Sequence, residues 1–200
     1  MTLMLSASFK PTVTRLINPI ARGALRIGLT PNSVTIIGAF GLIFSALVFY
    51  PTGHLFGGTI AIAFFALSDL FDGAMARISQ KGASTWGGFL DSTIDRLTDS
   101  AILTGLALYL VAKNDRLTPI VLGSLVLSLL VSYIRAKAES LQIECSSGIA
   151  ERTERLIIAL VAIGFEGLGV PYSLALGIWL LFLLAAVTVI QRILIVKAAL

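Results

Sequence analysis

Apolar and polar positions in this chain segregate into long blocks rather than short alternations. From residue 34 onward six apolar runs follow one another, at about Val34–Tyr50, Leu55–Met75, Ile94–Ala112, Leu117–Ile134, Leu156–Val170 and Tyr172–Ile190. Each approaches the roughly 20 residues that a helix needs to cross the hydrocarbon of a bilayer. The fifth is the weakest, because Glu166 and three glycines interrupt its end. Residues 10–29 follow another pattern. Val13, Leu16, Ile17, Ile20, Ala21, Ala24 and Leu25 recur at helical spacing, with Lys10, Arg15, Arg22 and Arg26 between them. That spacing predicts an amphipathic helix lying on an anionic membrane surface, with Pro11 near its start and Pro19 as a kink or break. Thr30-Pro31-Asn32-Ser33 reads as a turn and a helix cap. The expected fold is all-α and integral to the membrane. It is a single domain over residues 1–200, with a juxtamembrane surface helix at 10–29 and a six-helix bundle at 34–197. No internal repeat or low-complexity segment interrupts it.

Composition strengthens this picture. The chain is 56% hydrophobic and 13% charged, with a mean hydropathy of +0.94. A soluble protein of 200 residues could not hide that much apolar surface. Charge adds an orientation. With six spans, thirteen of the fifteen Lys and Arg residues fall on the side of the two termini, and Lys113 and Arg116 fall opposite. By the positive-inside rule the termini and the polar segment at 76–93 face the cytoplasm across the cell (inner) membrane. Basic charge is thereby accounted for by membrane flanks, and no nucleic-acid partner is expected. The first residues contain no stretch resembling a cleavable signal peptide, so the first span is expected to be retained. Cys145, the one cysteine, excludes an internal disulfide and a multi-cysteine metal site, and reads as an ordinary small residue in a polar loop. His54, the one histidine, lies beside Gly and Pro in an expected turn, where a ligand role is unexpected.

Four of the eleven acidic residues concentrate in residues 69–95. Asp69 and Asp72 are three apart, and Asp91 and Asp95 are four apart, so each pair shares one face of a helix. Carboxylates near hydrocarbon are costly and normally functional. Four that repel each other call for cations between them. Hard oxygen ligands without His or Cys favour Mg²⁺, with Mn²⁺ as the other candidate, over zinc. Two carboxylates from each of two helices could hold two ions roughly 3.5–4 Å apart, an arrangement suited to displacement at phosphorus. Gly73 removes a side chain where a phosphate could approach the backbone, and Arg77 can pair with a diphosphate. Gly82, Ala83, Ser84 and Thr85 form a small connection suited to closing over a ligand. Burial as structural ion pairs with Arg77 and Arg96 is the competing explanation, but such pairs rarely stabilise.

Asp69-x2-Asp72-Gly73-x2-Ala76-Arg77-x9-Gly87-x3-Asp91-x3-Asp95 resembles the signature of the CDP-alcohol phosphotransferases, with every position filled. The resemblance implies transfer of a substituted phosphate from a CDP-linked donor to an alcohol, with release of CMP. It implies that Asp69, Asp72, Asp91 and Asp95 bind a two-metal centre and that Asp95 also takes the acceptor's proton. Gly73, Ala76 and Arg77 would hold the CDP portion, with Ser84 in the connection beside them. Gly87 would let the helices pack closely. Asn32, Ser33 and Thr35, after Pro31, would border the nucleotide; capping of the first span is a compatible role for Asn32 and Ser33.

The acceptor is read from Ser132, Arg135, Arg152 and Arg155. Arg152 and Arg155 share a helix face, and Ser132 lies one turn below Arg135. Several cations at one membrane level suggest a pocket for a phosphate on the acceptor. Flanking positive charge explains any one of them equally well. These segments resemble the actinobacterial phosphatidylinositol phosphate synthases. That implies CDP-diacylglycerol as donor, 1D-myo-inositol 3-phosphate as acceptor, and a homodimer. Glycerol 3-phosphate as acceptor, in a phosphatidylglycerophosphate synthase, is the nearest rival within the family. From another class, a cation transporter would place acidic residues near the bilayer centre on several helices, whereas here they cluster at its edge. A non-catalytic scaffold leaves the aspartates unexplained.

Overall fold

A computed structural model of the chain describes residues 17–79, 84–145 and 148–200. Among them no strand occurs. A helix, α1, runs through residues 17–26. It is followed by α2 (Pro31–Phe49), α3 (Leu55–Ala66), α4 (Ser68–Ile78), α5 (Thr85–Ala112), α6 (Thr118–Ser140), α7 (Arg152–Gly167) and α8 (Ser173–Ala199).

Among the described residues four stretches are long and apolar enough to cross a membrane: Pro31–Phe49, Leu55–Ile78, Thr118–Ser140 and Ser173–Ala199. They correspond to the first, second, fourth and sixth apolar runs. The other two runs fall short for visible reasons. α5 is 28 residues long but carries Asp91, Asp95, Arg96 and Asp99 in its first 15. α7 has 16 residues and contains Arg152, Glu154, Arg155 and Glu166. Large apolar side chains stand open on several helices, among them Phe40 (73% exposed), Phe64 (68%) and Leu176 (71%). Water would not tolerate such a surface, and lipid tails would. The chain is a multi-pass membrane protein.

The second run is expected as one helix and is found as two, α3 and α4. The joint is a tightened turn rather than a reversal: the Leu67 N–H bonds to the Phe64 carbonyl, three residues back, at 3.2 Å. α2 begins at Pro31, the first helical position that proline favours. Its cap is Thr30, whose Oγ1 accepts the Ser33 N–H at 3.2 Å. Asn32 and Ser33 therefore lie inside the first turn, with the capping role on the residue before Pro31. Lys10, Pro11, Val13, Arg15 and Leu16 of the expected surface helix lie outside the described residues.

The chain forms two compact units. The first comprises the residues up to Ile43 together with Ile62–Thr98. In it α1 packs on α4: Ala21, Ala74 and Met75 are buried together, with Ile17, Ala24, Leu25, Leu29, Val34 and Ile78 around them. Arg22 and Arg26 stay exposed. α2 approaches the α3–α4 joint at two glycines. A Cβ on Gly38 would lie 1.9 Å from Ser68 Oγ, and one on Gly41 would lie 2.3 Å from the Phe65 ring.

The second unit comprises Phe44–Ala61 and Asp99–Leu200. α8 packs against both α6 and α7. Small residues again permit the contacts, as is usual between helices in lipid. A Cβ on Gly177 would lie 2.2 Å from that of Ala162, and one on Gly105 would lie 2.2 Å from the Ala46 carbonyl oxygen. The buried side chains include Tyr50, Ile102, Leu106, Leu110, Ile163, Ile178 and Leu181. Cys145 differs from expectation. It is 1% exposed rather than in open polar loop, with its thiol 3.9 Å from the Arg192 carbonyl.

Candidate active site

The first unit holds every residue of the aspartate signature. α4 has two working sides. Ala74, Met75 and Ile78 turn toward α1. Asp69, Asp72, Gly73 and Ala76, at spacings of three and four, share another face. Asp72 is the most enclosed of the acids, 7% exposed, and accepts a hydrogen bond from Thr35 Oγ1 on α2. Asp69 and Asp91 are close enough for their charges to act on it. Asp69 and Asp95 are half-buried, and Asp91 is exposed. Arg96 reaches Asp95 Oδ2 at 3.5 Å while its Nη1 donates to the Ser92 carbonyl at 2.7 Å.

Gly73 faces open space. The nearest atom to a Cβ built there is Arg77 Nη1, at 3.5 Å. The missing side chain thus leaves the backbone uncovered beside a buried carboxylate, with the exposed Arg77 one turn on. The starts of α2 and α5 meet in space: a Cβ on Gly87 would lie 3.1 Å from Ser84 Oγ and 3.3 Å from Asn32 Oδ1. Ser84 caps α5, its Oγ accepting the Gly87 N–H at 2.9 Å. Asn32, Ser84 and Gly87 are therefore together. Thr35 is buried and directed at Asp72, a setting the nucleotide reading did not foresee. Of the connection thought to close over a ligand, Gly82 and Ala83 lie outside the described residues.

Could this set hold a divalent cation? The donor chemistry fits. Four carboxylates on two helices, without His or Cys, are hard oxygen ligands suited to Mg²⁺ or Mn²⁺. Among the described residues no three such side chains close into a ready ligand group. Like charges repel at short range, and the quartet forms an acidic face rather than a closed shell.

The residues read as an acceptor site all lie in the second unit, and their settings differ. Arg155 is 5% exposed, its Nη1 donating to the Ala150 carbonyl at 2.8 Å. Arg152 pairs with Asp99, Nε to Oδ1, at 3.3 Å. Asp99 and Arg155, with Ser128, line a cavity of about 20 Å³, room for one water. Arg135 is exposed and pairs with Glu139 one turn on, at 2.9 Å. Ser132 Oγ turns back to the Ser128 carbonyl at 3.4 Å. Arg152 and Arg155 thus gather near Asp99, while Ser132 and Arg135 are engaged on their own helix. Sequence reasoning passed over Arg192. It is 3% exposed, its Nη1 donates to the Val131 carbonyl at 2.6 Å, and the charges of Arg135, Glu139 and Glu151 act on it. The available signal was Thr188 and Arg192, four apart in a mostly apolar run, which places two polar groups on one face of the helix.

Residues 28–197 match the model of the CDP-alcohol phosphatidyltransferase family. The chain is 42% identical to the phosphatidylinositol phosphate synthase of Streptomyces avermitilis, over 97% of this chain and 83% of that one. It is 41% identical to the synthase of the same name from Cutibacterium acnes, over 96% and 97%. Among solved structures it is similar to the Mycobacterium tuberculosis phosphatidylinositol phosphate synthase with CDP-DAG bound. That likeness has a TM-score of 0.86 at 41% identity, covering 91% of this chain and 94% of the other. The same enzyme in complex with manganese and citrate gives a TM-score of 0.84.

Proposed function

The chain belongs to the CDP-alcohol phosphatidyltransferase family, and from that premise we propose that it transfers the phosphatidyl group of CDP-diacylglycerol to a hydroxyl of 1D-myo-inositol 3-phosphate, giving phosphatidylinositol phosphate and CMP. The observation that carries the reading is the uncovered backbone at Gly73, beside buried Asp72 and bordered by Arg77, at the positions of the family signature. Identity of 42% to a phosphatidylinositol phosphate synthase supports the choice of acceptor. With the enzyme class established, ion transport is no longer needed to explain the acidic helices.

Asp69, Asp72, Asp91 and Asp95 would hold two Mg²⁺ or Mn²⁺ ions; manganese is present in a structure of the M. tuberculosis relative. Bound there, the ions would neutralise phosphate oxygens and favour the leaving group. Gly73 and Ala76 would admit the diphosphate close to the α4 backbone, Arg77 would pair with it, and Asn32, Ser33 and Ser84 would border the nucleotide. Asp95 would take the proton from the acceptor hydroxyl as it attacks phosphorus, which needs a base, an oriented nucleophile and a stabilised leaving group. Ser132, Arg135, Arg152 and Arg155 would bind the acceptor's phosphate, and buried Arg192 adds a fifth candidate to that group. Six spans, cytoplasmic termini, a cytoplasm-facing active site in the cell membrane and a homodimer complete the proposal.

The test is CMP release by purified protein in detergent from CDP-diacylglycerol, with inositol, inositol 3-phosphate and glycerol 3-phosphate offered in turn. Turnover should require inositol 3-phosphate, stop in excess chelator, and return with Mg²⁺ or Mn²⁺. Turnover with glycerol 3-phosphate alone would make the chain a phosphatidylglycerophosphate synthase. Full activity in excess chelator would refute the metal mechanism.

A further inference from the structure

We propose that Thr35 is a positioning residue for Asp72, its hydroxyl fixing one carboxylate oxygen so that the group meets a divalent cation in one orientation. The inference rests on the reading of Asp72 as a metal ligand.

The two side chains come from α2 and α4, are 37 residues apart in sequence, and are 6% and 7% exposed. Thr35 Oγ1 has a single proton and two acceptors within reach: the Pro31 carbonyl one turn back, at 3.1 Å, and Asp72 Oδ2. A carboxylate is the stronger acceptor. A β-branched side chain on a helix has few rotamers, and the one that faces the carbonyl four residues back is open to threonine in particular. The hydroxyl is thereby presented from a stiff mount.

The kind of partner matters. A buried carboxylate needs compensation. An arginine or lysine would supply it by cancelling the negative charge that attracts a cation. A neutral hydroxyl offsets part of the desolvation cost and leaves the charge in place. The backbone spacing supports this pairing. Gly38 lies three residues after Thr35, and Ser68 four before Asp72. With Gly38 against Ser68, where a Cβ would come within 1.9 Å of the hydroxyl oxygen, α2 runs close enough to α4 for so short a side chain to span the gap. Partners that orient metal ligands in this way typically change metal affinity by about 10–100-fold.

Manganese binding to the full-length protein in detergent tests this, followed by the electron paramagnetic resonance signal of free Mn²⁺ with no substrate present. Thr35→Val keeps the branched shape and removes the hydroxyl. It should weaken Mn²⁺ binding by about tenfold or more, and Thr35→Ser should restore it. Asp72→Asn serves as reference and should weaken binding further. Unchanged Mn²⁺ affinity in Thr35→Val, with Asp72→Asn weakened, overturns the positioning role and leaves the metal site standing. Unchanged affinity in both overturns the metal reading as well. A rise in the donor KM of Thr35→Val with Mn²⁺ affinity intact would assign the hydroxyl to the nucleotide and also overturn the proposal. Should Thr35→Val fail to fold, Thr35→Ala against Thr35→Ser makes the same comparison, since that pair differs only in the hydroxyl.

Discussion

Asp72 and Asp95 belong to one acidic quartet, yet their surroundings differ. Asp72 is enclosed and accepts from Thr35. Asp95 is half-buried beside Arg96, at 3.5 Å. A proton acceptor must be reachable by its substrate, and the less enclosed carboxylate suits that task better. Asp95→Asn should therefore lower CMP release by about a hundredfold or more, the usual worth of a general base, with the thermal transition in detergent little changed. A rate near wild type in that variant would remove Asp95 from the proton transfer. At this scale the family signature was readable beforehand, because the type and spacing of charged residues in an apolar chain carry their own meaning. The partners were not. That Thr35 serves Asp72, that Arg155 holds the Ala150 carbonyl, and that Arg192 is buried against Val131 all depend on pairings across 37, 5 and 61 residues. No local pattern encodes the longer two.

Helices are the scale at which glycine decides the packing. A Cβ on Gly105 of α5 would stand 2.2 Å from a backbone oxygen of Ala46, whereas one on Gly57 of α3 would meet nothing within 4 Å. A carbonyl cannot swing aside as a side chain can. Gly105→Ala should cost about 1–3 kcal/mol through overpacking, seen as a lower thermal midpoint in detergent. Gly57→Ala, in an open helical position, should raise the midpoint or leave it unchanged, since alanine favours the helix by about 1 kcal/mol. Equal losses at both sites would show that close helix approach is not what Gly105 provides. The apolar blocks predicted these helices well, because a segment in lipid must satisfy its own backbone hydrogen bonds. The tightened turn at Leu67 escaped notice. It has no proline to announce it, and its setting is the contact of Phe65 and Ser68 with Gly41 and Gly38 on another helix.

For the whole molecule the proposal to be tested is the topology. Among the described residues four stretches qualify as spans by length and apolarity. The bias of thirteen basic residues against two argues for six. Site-directed labelling separates these counts. In a Cys145→Ala background, Arg116→Cys should react with an impermeant maleimide added outside intact cells, and Leu200→Cys should react only after permeabilisation. Neither residue labelled from outside is the four-span outcome; that result, the reverse pattern, or both labelled from outside would contradict the proposed topology. Membrane residence, helical architecture and the acidic signature followed from residue order alone. Each arises from local physics: the length of an apolar run, the period of a helix, the cost of charge beside hydrocarbon. The tertiary structure alone decided which face of α4 is packed by α1, which carboxylate is buried, and what holds it. Those outcomes are set by distances between segments remote in sequence, and such distances exist only once the helices have come together.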